Sequence, residues 1–114
     1  MPLLKIHTNL PVDEADQQKL LAEASRSVAD MLGKPARYVM VSFEHNPAML
    51  FAGSDEPLAY LELKSIGLPE SRTAELSRGL ADLLNRELGL AADRIYIEFA
   101  DAPRAMWGWN GGTF

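Results

Sequence analysis

VADMLGKPARYVMVSF, residues 28–43, and LNRELGLAADRIYIEF, residues 84–99, are two versions of one pattern. At an offset of 56 positions Val28 falls on Leu84, Leu32 on Leu88, Gly33 on Gly89, Val39 on Ile95, Val41 on Ile97 and Phe43 on Phe99. Leu20 falls on Leu76 in the same register. Each stretch closes a helical run at a glycine, the residue that most readily takes the left-handed conformation of a helix stop. Each then enters an alternating apolar run that reads as a strand.

Working outward, Leu20, Leu21, Ala24, Val28, Met31 and Leu32 recur at helical spacing behind the acidic Asp13-Glu14, which suits a helix N-terminus. They predict a helix over 13–32. Leu76, Leu80, Leu83, Leu84 and Leu88 form the second stripe, after Pro69-Glu70 and before Gly89, and predict a helix over 70–88. Strands are expected over 2–8, 37–44, 58–65 and 94–100. Each half therefore runs strand, helix, strand. A helix-length crossover implies parallel strands and a right-handed connection. The expectation is one α+β domain over 1–114, with a pseudo-repeat of about 2–56 and 57–114. Two β-α-β units share a four-stranded sheet and place both helices on one face.

That arrangement leaves the other face bare. Tyr38, Met40, Tyr60 and Tyr96 alternate with the helix-facing residues and are mixed with Ser42, Glu62 and Glu98. A wet face is ordinarily more polar. Scattered surface aromatics account for it, and so does a second subunit packed over the sheet. Trp107 and Trp109, flanking Gly108 near the chain end, suit an interface or a pocket wall.

Composition narrows the chemistry. A chain of 114 residues holds one ordinary domain, and 47% hydrophobic residues fits a folded one. A net charge of −5 argues against nucleic-acid binding. No cysteine is present, which excludes a disulfide framework and a thiolate nucleophile and is typical of a reducing, cytoplasmic setting. No signal-peptide pattern and no run near the ~18 apolar residues of a membrane span is visible. His7 and His45 stand in no paired-ligand spacing, so no metal is expected, and no Walker A or dinucleotide fingerprint points to a cofactor.

Pro2 is the residue with latent chemistry. A small residue after Met1 favours removal of the methionine and would leave a secondary amine at the chain start. Burial or a nearby cation would lower that amine's pKa, and a base poised near neutrality moves protons well. Proline also suits the first residue of a strand without any such role. Lys34, after the first helix, is favoured by the helix dipole or serves as an anion-binding cation at a pocket mouth.

Several motifs occur in order along the whole chain: Pro2 opening a strand, Thr8-Asn9-Leu10-Pro11, Gly33-Lys34-Pro35, Gly53-Ser54 with Glu56-Pro57, Ser65-Ile66-Gly67, Asp93-Arg94-Ile95-Tyr96-Ile97, and Gly108-Trp109-Asn110 before Thr113-Phe114. Together they resemble the macrophage migration inhibitory factor family of the tautomerase superfamily. Tyr96 and the Gly-Trp-Asn motif resemble that branch more than the D-dopachrome tautomerase branch. The resemblance implies a homotrimer whose sheets wrap a central channel, with pockets between subunits. It implies cofactor-free keto–enol tautomerisation of phenylpyruvate-like α-keto acids, with Pro2 as catalytic base. Lys34 and Ile66 match substrate-contacting positions, Tyr38 and Tyr96 aromatic pocket positions, and Trp109 and Phe114 the C-terminal rim. Family members leave cells without classical signal peptides, so non-classical secretion goes with the resemblance.

The chain departs from the family pattern at Glu98, where asparagine is usual in vertebrates, at Trp107, where a small aliphatic residue is usual, and at Lys64, which replaces a histidine. Leu58-Ala59-Tyr60-Leu61 stands for the animal Cys-x-x-Cys, so thiol oxidoreductase activity is not implied. Val12 and Asn46 replace charged residues implicated in receptor contact, which weakens the implied cytokine role. The competing reading is a signalling or host-mimicry protein with a vestigial pocket. Dehalogenation or decarboxylation would want an arginine pair, for which Arg37 and Arg104 are the candidates.

Overall fold

A computed structural model describes residues 1–114. The main elements are β1 (Leu3–Thr8), α1 (Glu14–Leu32), β2 (Met40–His45), β3 (Ala59–Ile66), α2 (Thr73–Leu88) and β4 (Ile95–Ala102). They are followed by a short hairpin of β5 (Gly108–Trp109) and β6 (Gly112–Thr113). The large sheet has the order β2-β1-β3-β4. β1 pairs with β2 in parallel and β3 with β4 in parallel, while β1 and β3 run antiparallel at the centre. Each half is thus a parallel β-α-β unit, as the repeat predicts.

The inward residues of the central strands, Leu4 and Ile6 on β1 and Leu61 and Leu63 on β3, are fully buried. They meet Leu20, Ala24 and Val28 of α1 and Leu76, Leu80, Leu83 and Leu84 of α2 in one core. Burying such a side chain contributes about 1.5–3 kcal/mol. Val39, Val41, Phe43, Ile97 and Phe99 pack at its edge, so the helix-facing set reads correctly from the alternation. The helices approach closely at Gly79, where a Cβ would come 2.5 Å from the Met31 sulfur.

Element ends shift from the sequence reading for local reasons. Asp13 is the N-cap of α1, its carboxylate accepting from the Asp16 N–H at 2.8 Å. β2 starts at Met40, not at Arg37, because Ala36–Tyr38 closes a 3₁₀ turn. The same turn recurs at Ala92–Arg94 before β4, which then runs on to Ala102. Glu70–Arg72 is a third 3₁₀ turn, so α2 proper begins at Thr73. The chain end around Gly111-Gly112 is an ordered hairpin. Asn110 (φ 53°) and Gly111 (φ 77°) are its two left-handed turn residues, the combination that matches strand twist in a two-residue turn.

The second sheet face has no helix over it, and Met40 and Tyr96 are 66% and 65% exposed. Its residues form cross-strand rows: Glu44, His7, Tyr60 and Tyr96 in one, and Ser42, Lys5, Glu62 and Glu98 in the next. His7 Nε2 lies 3.1 Å from a Glu44 carboxylate oxygen, and Glu62 pairs with Lys5 (4.0 Å) and Lys64 (3.8 Å), on this surface.

Candidate active site at the start of β1

The start of β1, the 3₁₀ turn before β2 and the C-terminal hairpin enclose a cleft of about 400 Å³. Pro2 lies buried at its base. The Pro2 carbonyl accepts from the Met40 N–H at 2.9 Å, continuing the β1–β2 ladder one residue beyond the strand. The Met1 amine donates to the Tyr38 carbonyl at 3.0 Å. The ladder therefore holds the chain start against the 3₁₀ turn.

The walls are aromatic. Trp109 and Phe114 stack at 5.5 Å, and the Tyr38 ring meets both edge-on, at 5.6 and 5.7 Å. Such contacts are worth about 0.5–1.5 kcal/mol each beyond burial. The Phe114 N–H bonds the Trp107 carbonyl at 3.1 Å, and the Arg104 guanidinium bonds the Phe114 backbone oxygen at 2.9 Å. Those two bonds fix the hairpin over the cleft, and Trp107 forms part of the wall.

Burial, and then the positive charge of Lys34, holds the Met1 amine below its ordinary value near 8.0. Lys34 is brought there by the α1 stop, where Gly33 is left-handed and the Lys34 N–H bonds the Ala29 carbonyl at 3.0 Å.

Of the residues singled out in the sequence, Pro2, Tyr38, Trp107, Trp109 and Phe114 share this cleft. Lys34 acts on the amine within it without lining it. Ile66, buried at the end of β3, lies where the β1–β3 register runs on past Leu3 and Lys64, alongside the chain start. Tyr96 and Glu98 of the same chain are elsewhere. Tyr96 stands two strands over, in the His7 row, so it is ~13 Å along the strands and ~10 Å across them from Leu3. Within one chain, then, Tyr96 does not bury the amine and Glu98 does not face it. The Glu98 charge is felt at Tyr60, whose phenol is held above its ordinary value by partial burial and then by Glu62 and Glu98.

Tyr96 instead packs on Phe51 at 4.5 Å and lines a larger, mostly apolar cavity of about 570 Å³ with Met49, Leu50, Ala52, Leu58, Ala59 and Tyr60. The loop bearing Phe51 is clamped by Arg94. The guanidinium donates to the carbonyls of Phe51 (2.9 Å), Ser54 (3.0 Å), Glu56 (2.8 Å) and Pro57 (3.4 Å) and lies 5.2 Å from the Phe51 ring centre. Thr8 and Asn9 hold the loop's other end, with Thr8 Oγ1 donating to the Leu58 carbonyl at 2.6 Å and Asn9 Oδ1 accepting from the Leu58 N–H at 3.0 Å. These bonds give the Thr8-Asn9 and Asp93-Arg94 motifs a structural role. Sequence reading passed over Leu3, Val39 and Met40 as cleft-lining residues. Their position beside Pro2 and Tyr38 was the available signal.

The sequence matches the family described as macrophage migration inhibitory factor (MIF) over residues 1–114. The chain belongs to the macrophage migration inhibitory factor family of the tautomerase superfamily. It is 37% identical over 115 residues to the macrophage migration inhibitory factor of Meriones unguiculatus, covering 100% of this chain and 99% of that one. It is 39% identical over 116 residues to the homolog of Brugia malayi, with the same coverage. Among solved structures, the MIF homologue of Prochlorococcus marinus superposes with a TM-score of 0.91 at 45% identity, covering 98% of both chains. The Toxoplasma gondii MIF gives 0.91 at 34% identity, covering 98% of this chain and 99% of that one. The MIF fold thus carries the cleft at Pro2, with Trp107 set into its wall. No helix is long and apolar enough to cross a membrane.

Proposed function

We propose that the protein is a cofactor-free keto–enol tautomerase of phenylpyruvate-like α-keto acids, with the Pro2 amine as base once Met1 is removed. The observation that carries this reading is a buried Pro2 at the base of an aromatic cleft, where burial and Lys34 already depress the pKa of the amine one residue upstream. The same influences would keep a Pro2 amine neutral at working pH. Met1 also lines the cleft, so its removal both frees the nitrogen and widens the space beside it.

The step balances without a cofactor. The amine takes a proton from the carbon next to the ketone, and the C–H electron pair becomes the carbon–carbon double bond. The carbonyl pair moves onto oxygen, and the prolinium returns the proton there. Lys34 would hold the substrate carboxylate and stabilise the developing enolate charge. The ring would lie among Tyr38, Trp109 and Phe114. The exposed Met40 and Tyr96 on the uncovered sheet face favour assembly as a homotrimer around that face. In it, Tyr96 of a second copy would reach the cleft that Tyr96 of the same chain does not.

The test is enol–keto conversion of phenylpyruvate by chain whose loss of Met1 is verified by mass. Proton transfer by a positioned base contributes about 10²–10⁴-fold; Pro2→Gly exchanges the ring-held secondary amine for a mobile primary one and should lower kcat/KM by part of that factor. Processed wild type no faster than Pro2→Gly would sink the reading.

A further inference from the structure

We propose that Arg37 makes this cleft selective for aryl α-keto acids that carry a second anionic group on the ring. The proposal rests on the reading of the cleft as the substrate site. With 16 Asp and Glu against 11 Lys and Arg, carboxylates outnumber cations in this chain. Lys5, Lys19, Arg26, Lys64 and Arg72 each pair with a glutamate, and Arg94 and Arg104 bond backbone oxygens. Lys34, Arg37, Arg78 and Arg86 are left without a partner. Arg78 and Arg86 are exposed on α2, a solvated helix surface that needs no further explanation. Arg37 lines the cleft, and Lys34, outside the lining, acts on the Met1 amine within it.

Their placement differs in kind. Lys34 acts on the Met1 amine through its charge from outside the cleft lining. Arg37 lines the cleft wall, its guanidinium 4.8 Å over the Tyr38 ring. That stacking holds the planar fork against an aromatic wall and leaves its donors free, the arrangement in which arginine recognises a carboxylate in two-pronged fashion. A monoanionic α-keto acid satisfies one of the two cations. An aryl α-keto acid with a second carboxylate or phosphate on its ring gives the Arg37 guanidinium in the cleft wall an anion as well. Arg37 is thus a specificity-determining residue, and Pro2 alone carries the proton.

Trp107 and Trp109 line the cleft and are the chain's two tryptophans, so their fluorescence reports occupancy without any turnover. Binding of cinnamate and of 4-carboxycinnamate, which lack the reacting ketone, should be titrated into the full chain with Met1 removed. The account predicts that the dianion binds about five-fold more tightly. The preference should shrink as salt rises, vanish in Arg37→Gln and persist in part in Arg37→Lys. Arg37 is exposed, so the Arg37→Gln melting temperature should match wild type. Equal binding of the two probes by wild type, or an undiminished preference in Arg37→Gln, overturns the proposal. Phenylpyruvate turnover by the same preparations separates the two claims. No turnover with a charge-dependent preference removes the catalytic reading alone, and full turnover without a preference removes only this one.

Discussion

In the first half of the molecule the chain leaves α1 at Gly33, makes a 3₁₀ turn over Ala36–Tyr38 and enters β2. In the second it leaves α2 at Gly89, makes the matching turn over Ala92–Arg94 and enters β4. Both glycines are left-handed, at φ 63° and 72°. The backbones are near copies, and the side chains at equivalent positions are used in opposite ways. Lys34 is half-buried and unpaired at the cleft; its counterpart Leu90 is buried in the core. Tyr38 offers its ring to the cleft; its counterpart Arg94 spends its hydrogen-bonding groups on the chain's own loop. One junction lines the Pro2 cleft with Tyr38, and the other is bonded through Arg94 to residues 51–57. A duplicated scaffold can therefore keep its packing and change only what stands at the end of each helix.

The largest effect should come from exchanging the two junctions' chemistry. Leu90→Lys puts an ammonium where a side chain is 1% exposed and should cost about 3 kcal/mol or more, read from urea unfolding. The reciprocal Lys34→Leu should change stability by no more than about 0.5 kcal/mol. It should instead lower kcat/KM for phenylpyruvate about ten-fold, by removing a charge from the substrate. Similar unfolding costs at the two sites would break the comparison.

Arg94→Ala comes next. It removes a donor from the carbonyls of residues 51, 54, 56 and 57, of which 51 and 54 keep their mutual backbone bonds, and should cost about 2 kcal/mol. Faster amide exchange confined to 51–57 would show that the clamp acts on the loop, and unchanged exchange there would contradict it.

Much of this was legible in the sequence. The repeat, the helix stops and the helix-facing residues follow from periodicity and glycine placement, because they rest on local chemistry. Pro2, Tyr38, Trp109 and Phe114 were legible as a set through the family motifs. The 3₁₀ turns were not, since Ala-Arg-Tyr and Ala-Asp-Arg lead directly into the alternating strand residues and only their hydrogen bonds distinguish them. The C-terminal hairpin was overlooked although Asn110-Gly111 carries its turn signal. Tyr96 and Glu98 carry a pocket assignment through the family resemblance, and strand register places them away from Pro2 of the same chain; register is long-range information that no local motif contains.

The smallest expected effect is electrostatic. In chain that retains Met1, the amine's pKa is lowered, so the unfolded chain binds the proton more readily than the folded one between the folded pKa and about 8.0. Folding stability should therefore rise with pH across that window and fall as pH drops through it. Lys34→Gln should shift the Met1 amine resonance's titration back toward its ordinary value. An unshifted titration would remove Lys34 from the account of the amine.

The central claim is that a free secondary amine at Pro2 does the chemistry. Its most direct test compares phenylpyruvate tautomerisation by two preparations of the same chain, one with Met1 removed and one with Met1 retained, each verified by mass. The account predicts turnover only from the first, with loss of at least about 10²-fold in the second, because acylation turns the amine into an amide with no basic lone pair. Equal rates from the two preparations would contradict it.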